Sequence, residues 1–221
     1  MFKTQNLKMK IQLKNVIFLL LVLKMCFIFG QPATPKKTLV IDVGHGGKDA
    51  GAVSIHGIME KDVVLQLAKE ILSLNKGQSN LEIYLTRYSD SLISLTDRTK
   101  LARILNADIF ISLHCNHAWD PEATGIEVFV PNTALSLNLR ESIFLAHQIH
   151  SAITGNFGIK SRGVKFADFQ VLRETITMSP SILIELCFLS NWDEALFLSK
   201  NSNLKALAFS MLTSLTTTLE L

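Results

Sequence analysis

The sequence is poor in cysteine, in long apolar runs and in internal repetition. It holds three cysteines in 221 residues. One of them, Cys26, lies in a segment expected to be removed. The two that remain, Cys115 and Cys187, do not make a disulfide framework. Both read as small buried residues on strands. No apolar stretch reaches the ~18 residues of a membrane span. No repeat or low-complexity tract is present, so the chain is not read as a repeat array. A fourth absence is local: residues 1–30 contain no acid.

That amino-terminal segment has the layout of a secretory signal. Lys3, Lys8, Lys10 and Lys14 precede an apolar run, Val16–Phe29, which is interrupted only by Lys24. Gly30–Gln31–Pro32 closes it, with a cut expected after Gly30. Lys24 also fits a retained anchor; removal is the reading adopted, with no stable membrane span left afterwards. Cys26, after Lys24–Met25, is in a poor context for lipid attachment. Of 22 basic and 19 acidic residues, removal takes five lysines and no acid, which leaves 17 against 19 and a net charge near −2. The pI of 8.7 is therefore mostly a property of the leader and does not argue for nucleic acid. Residues 31–37 read as a linker, and 38–221 as one domain with room for a substantial core.

The domain is organised around Thr38–Ala52, TLVIDVGHGGKDAGA. A short apolar strand breaks there into a glycine-rich turn that presents His45 at the carboxyl end of a sheet, where open α/β sheets keep their ligand sites. Loop follows to Gly57. From Glu60 the residues Val63, Val64, Leu67, Ala68, Ile71 and Leu72 recur at helical spacing, with Gly77 as a stop. Further strands are expected at Leu81–Arg87, Asp108–His114, Gly125–Val130 and Ser181–Phe188. Further helices are expected at Ser94–Leu105, Leu135–Ile153, Trp192–Ser199 and Leu204–Leu219. Asn156–Ala167 reads as a glycine-punctuated loop and Gln170–Arg173 as a short strand. The alternation predicts a single-domain α/β fold, a mixed, mostly parallel sheet flanked by helices.

Four site residues fall at comparable places. Glu60 stands at a helix start; His45, His114 and Glu185 stand at or near strand ends, so all four can share one rim. Two histidines and a carboxylate are a known set for catalytic zinc, with a fourth position left for water. A further carboxylate can relay a proton to a leaving amine. Glu185, within an apolar strand, needs either such a role or a partner, because a buried unpaired charge is costly; Arg87 or Arg98 are the available partners. Taken singly, each residue has an ordinary explanation: a strand-end histidine bonded to a carbonyl, or a helix-start acid favoured by the macrodipole. His56, His117, His147 and His150 remain open as ligands on composition alone.

The blocks TLVIDVGHGGKDAGA with Glu60–Lys61, Leu85–Arg87, Leu95–Arg98, FISLHCN (Phe110–Asn116), Gly125–Val128, RGVK (Arg162–Lys165), Val171–Arg173 and IELCFLSN (Ile184–Asn191) resemble the zinc-dependent N-acetylmuramoyl-L-alanine amidases, in the family's order. These enzymes cut the amide between the lactyl group of N-acetylmuramic acid and the L-alanine of the stem peptide. The resemblance implies one zinc per chain on His45, Glu60 and His114, Glu185 as the catalytic acid–base, and peptidoglycan as substrate, in the periplasm or outside the cell. It matches none of the other histidines to a ligand. Asn116 and Asn191 are expected near the substrate. Three departures stand out. Val43 replaces a common proline. Cys187 replaces a glycine and, two residues from Glu185 on a strand, is expected on its face. The stretch from His114 to Gly125 is too short for the helical plug of some members. No wall-binding domain is apparent, so targeting falls to the cleft or to a partner, and any activator is unidentified. A zinc peptidase or deacetylase on the same scaffold, and an inactive peptidoglycan-binding module, are the rival readings.

Overall fold

The computed structural model describes residues 2–29, 36–77, 80–133 and 136–218. The expected cut at Gly30, most of the expected linker, and the expected helix limits at Leu135 and Leu219 lie outside these. The chain divides into an amino-terminal unit ending at Pro35 and a second unit from Lys36 onward. In the first, Phe2–Phe29 forms one helix, α1. No helix among the described residues is long and apolar enough to cross a membrane.

The second unit is built on six strands. They are β1 (Lys37–Val43), β2 (Leu81–Leu85), β3 (Ile109–Asn116), β4 (Ile126–Pro131), β5 (Ser161–Ala167) and β6 (Ser181–Phe188), in the order β2-β1-β3-β6-β4-β5. Every neighbouring pair is parallel except β4 with β6. Strands buried on both faces lose the alternating pattern and read as apolar runs, as VIDV, FISL and ILIEL do here. Leu39, Ile41, Ile111, Leu113, Ile182 and Ile184 face one layer of helices, α2 (Glu60–Leu74), α4 (Leu139–Phe157), α6 (Trp192–Leu198) and α7 (Asn201–Thr218). Val40, Phe110 and Leu183 face the other, α3 (Leu95–Ile104) and α5 (Gln170–Thr175). Helices thus cover both faces of a mixed sheet, as expected.

Local signals account for the helix ends. Ser94 caps α3, its hydroxyl accepting from the Asp97 backbone N–H at 3.1 Å. Gly158, left-handed at φ 66°, ends α4, four residues past the predicted Ile153.

Two expectations fail, each for a physical reason. The predicted loop at Asn156–Ala167 holds β5, an edge strand whose residues are mostly half-buried on both faces. Such a strand shows no alternation. The predicted strand at Gln170–Arg173 is the helix α5, with Val171, Leu172 and Thr175 inward; six residues are too few for periodicity to decide. The linker is also one residue shorter than read, because Lys37 already pairs with Leu81 of β2.

Candidate active site

The α3/α5 face of the sheet changes character along its strands. Apolar Val40, Phe110 and Leu183 give way to Asp42, Ser112, His114 and Glu185 toward the carboxyl ends. Asp42 pairs in register with Ser112, and His114 with Glu185. The rim is therefore polar where the core stops.

His45 follows β1 at a non-glycine φ of 55°, a conformation that costs about 1–2 kcal/mol and persists only if its surroundings impose it. Two buried arginines do so. Arg87 donates from Nε to the Val43 carbonyl at 3.1 Å and from Nη2 to the Gly44 carbonyl at 2.8 Å. Arg98 donates to the carbonyls of Val43 at 2.5 Å and His45 at 2.8 Å. Arg98 also pairs with Asp42 at 2.8 Å, whose carboxylate accepts from Thr86 and Ser112 as well. Both arginines are thus committed to the turn, and neither reaches Glu185.

Two glycines are required by space. A Cβ on Gly44 would sit 2.6 Å from His114 Cε1. One on Gly51 would meet the Glu60 carboxylate and lie 2.6 Å from His45 Cδ2. The chain is packed this closely around one point.

At that point His45 Nε2 lies 3.1 Å and His114 Nδ1 2.8 Å from Glu60 Oε1. The ligand-capable atoms of the three residues all fall within 4.8 Å of one another. Glu60, the first residue of α2, is anchored by backbone donors: Ala52 N–H to Oε2 at 2.8 Å and Cys115 N–H to Oε1 at 2.9 Å. Asp49 meets His45 Nδ1 at 2.9 Å and orients the ring, so that Nε2 faces Glu60. The hydrogen bond with Glu60 raises the His45 pKa from 6.5 to about 9. Burial alone would raise Glu60, but its bonds to His114 and His45 outweigh this and hold it at about 2. Burial opposes charging of His114, whereas its bond to Glu60 and the charges of Glu185 and Glu60 together raise it.

Glu185 sits beside His114 with a different environment. Its Oε2 is buried and has no hydrogen-bond partner. Burial pushes its pKa from 4.5 up to about 7. Neither Arg87 nor Arg98, the alternative partners open from the sequence, pairs with it among the described residues. His45, His114 and Glu185 line a cleft of about 400 Å³ walled by Leu92, Leu95 and Phe169.

The other residues singled out in the sequence make the following contacts. Asn191 caps α6, accepting from Glu194 N–H and donating to the Pro121 carbonyl at 2.8 Å, so its amide is spent on structure. Asn116 accepts from the neighbouring His117 N–H. His56 packs on Trp192 at 3.9 Å between ring centres. His150 is buried and meets Ser161 at 3.1 Å. Cys187 does not share the Glu185 face. An extra residue in β6 between the His114–Glu185 and Asn116–Phe188 pairs shifts the register, and Cys187 packs into the α2/α4/α7 layer. Both cysteines are free and buried.

The family profile of N-acetylmuramoyl-L-alanine amidase matches residues 39–217. The chain belongs to this family. Among curated relatives of this amidase family member, the endolysin of Bacillus phage SPP1 is 39% identical over 174 residues, covering 78% of this chain and 62% of the relative. The amidase LytC of Bacillus subtilis (strain 168) is 34% identical over 159 residues, covering 72% of this chain and 31% of LytC. The chain thus spans less than two thirds of either. A solved N-acetylmuramoyl-L-alanine amidase from Clostridium difficile 630 superposes with a TM-score of 0.78 at 33% identity, covering 85% of this chain and 98% of that one.

The sequence reading gives no role to Asp49 or Asp42 and offers Arg98 only as a partner for Glu185. Asp49 was visible as an acid four residues from His45. Asp42 and Arg98 carried no local signal of their pairing, which spans 56 positions.

Proposed function

We propose that this chain is a zinc-dependent N-acetylmuramoyl-L-alanine amidase, which hydrolyses the bond between the muramoyl lactyl group and the L-alanine of peptidoglycan stem peptides. The observation that carries the reading is the convergence of two imidazoles and one carboxylate beside a buried, unpartnered carboxylate oxygen. That donor set, two nitrogens and one oxygen with an open side, fits catalytic zinc. His45, Glu60 and His114 would hold the ion. Zinc in such a set supplies Lewis-acid polarisation of a carbonyl and a nucleophile at neutral pH.

The chain's own residues supply the rest. Asp49 holds His45 in one tautomer. Backbone donors from Ala52 and Cys115 orient Glu60. Glu185 keeps Oε2 free of protein donors, and burial makes it a better base than an exposed carboxylate. In this reading it accepts a proton from the attacking water and returns it to the departing amine. Leu92, Leu95 and Phe169 give the cleft an apolar wall. Residues 1–30 are proposed to be a cleaved export signal, which places the enzyme with its substrate outside the cytoplasm.

Zinc content and turnover of labelled peptidoglycan test the reading together. About one zinc per chain is expected, with release abolished by chelation and restored by zinc, and a new alanine amino terminus in the product. A cut within the peptide would replace the amidase with another hydrolase. Bound zinc without release would leave a binding module. Glu185→Gln should retain zinc and lose hydrolysis.

A further inference from the structure

The polar rim does not end at Glu185. Directly across β6 and β4, Glu185 pairs in register with Glu127, so both side chains lie on the α3/α5 face. Because β4 runs antiparallel to β6, it is the start of β4, and of its parallel neighbour β5, that reaches this rim. Glu127 is buried, with 8% of its side chain exposed, and it holds two cations from β5: Arg162 through Nε, and Lys165 at 3.1 Å. Arg162 is further fixed over the Phe188 ring at 4.9 Å and by the Thr124 carbonyl. The row therefore runs from the ligand His114, through Glu185 and Glu127, to a pair of cations at the sheet edge.

Glu127 is one carboxylate shared by two cations; Glu194 also lies near Arg162, but its oxygens accept from the backbone N–H groups of Gly125 and Phe188. Arg162 Nη2 and the remaining ammonium hydrogens of Lys165 have no acceptor among the described residues, and the two side chains are 32% and 43% exposed. Both side chains are held in place and partly open to solvent, and these particular donors are unspent. A structural salt bridge needs one cation for one acid. The second cation, Lys165, stands on the edge strand with 43% of its side chain exposed.

We propose that Arg162 and Lys165, held in place by Glu127, bind a free carboxylate of the stem peptide downstream of the scissile amide. This rests on the amidase reading above and adds to it a preference for acidic over amidated stems. Adjacent strands lie about 4.8 Å apart, so the step from Glu185 to β5 is about 10 Å, the reach of two to three extended peptide residues. A carboxylate on the second residue of the stem falls within that distance. Guanidinium and ammonium together suit it, the first as a planar donor and the second as a point charge.

The test uses the zinc-loaded full chain and two soluble muramoyl tripeptides. One carries a free α-carboxylate on its second residue; in the other that group is amidated. The wild type should favour the acidic compound by about five- to tenfold in kcat/KM, chiefly through KM, as charge-assisted contacts at a part-exposed site provide. The preference should shrink as salt is raised. Arg162→Met and Lys165→Met should each bring the ratio toward one. Lys165→Glu should reverse it, which a merely structural role would not do, and Lys165 is exposed enough for both of its variants to fold. Cleavage of both compounds with an equal rate in the wild type, or with a ratio unmoved by the Lys165 variants, would overturn the subsite and leave the amidase reading standing. Cleavage of neither by zinc-loaded protein would overturn both.

Discussion

Arg98→Met is the substitution whose consequence follows most directly from the structure. Arg98 and Asp42 are 3% and 1% exposed. The guanidinium serves Asp42 and the carbonyls of Val43, His45 and Ile93. Removing it leaves Asp42 charged and buried, with only the hydroxyls of Thr86 and Ser112 as donors. It also leaves the carbonyls of His45 and Ile93 without this donor, while Val43 keeps Arg87. Breaking one side of a buried pair costs about 3–5 kcal/mol. A domain of this size has about 5–15 kcal/mol in all, so the loss should be plain in urea unfolding. Asp42→Asn should cost less, because an amide still bonds Ser112 and Thr86. The double variant should be more stable than the sum of the two by at least about 1.5 kcal/mol, the coupling of groups in one network. The same change should weaken zinc binding about tenfold or more, since His45 at positive φ loses a clamp; tenfold corresponds to about 1.4 kcal/mol. Chelator competition measures the affinity and the cycle measures the coupling. Arg98→Lys should rescue little, as one ammonium cannot span the fork's acceptors. Additive single variants, or an Arg98→Met protein within about 1 kcal/mol of wild type, would refute the argument that this pair holds the turn.

Other outcomes follow from the same contacts. Gly44→Ala places a methyl 2.6 Å from His114 Cε1 and should lower zinc affinity at least about tenfold, read by the same competition. In the chelated protein Glu185→Gln should raise the free energy of unfolding by about 1 kcal/mol, because it removes an unpartnered buried charge; a lowered value would mean that Glu185 is stabilised as an anion. Burial alone would raise the Glu127 pKa, but Arg162 and Lys165 outweigh it and hold it below its ordinary 4.5. Its stabilising contribution is therefore present above pH 4.5 and lost as the pH falls through the depressed value. Glu127→Gln should accordingly be less stable than wild type at pH 7, with the gap closing in acid, as urea midpoints at the two pH values would show.

Much of this architecture is legible in the chain. β1, β3 and β6 are apolar on both faces because helices cover both, and such runs announce themselves. α2 shows its buried stripe from Val63 to Ile71. The edge strand β5 gives no such pattern, since solvent and protein share both of its sides. The six residues of α5 are too short to declare a period. The site was legible for a different reason. Each histidine alone has an ordinary explanation, and only the ordered set of motifs separates His45 and His114 from His56 or His150. What stayed hidden depends on pairing across the sheet. The Asp42–Arg98 contact and the Glu185–Glu127 row arise when distant strands meet. The face of Cys187 was misjudged because a residue inserted in β6, relative to β3, is visible only once the two are in register.

The position of β6 sets the order in which this molecule can be completed. It is the last strand in sequence, yet it lies between β3 and β4. Without Ser181–Phe188 in place, β2-β1-β3 and β4-β5 would share no hydrogen-bonded strand, and each would present an open edge of the kind that invites wrong pairing. Joining them means closing contacts such as Ser112 with Leu183, seventy-one positions apart, and distant pairings of this kind fold slowly. Glu185 travels on that closing strand. The proposed acid–base is thus carried by the strand that joins the two groups, and the proposed site is incomplete without that pairing.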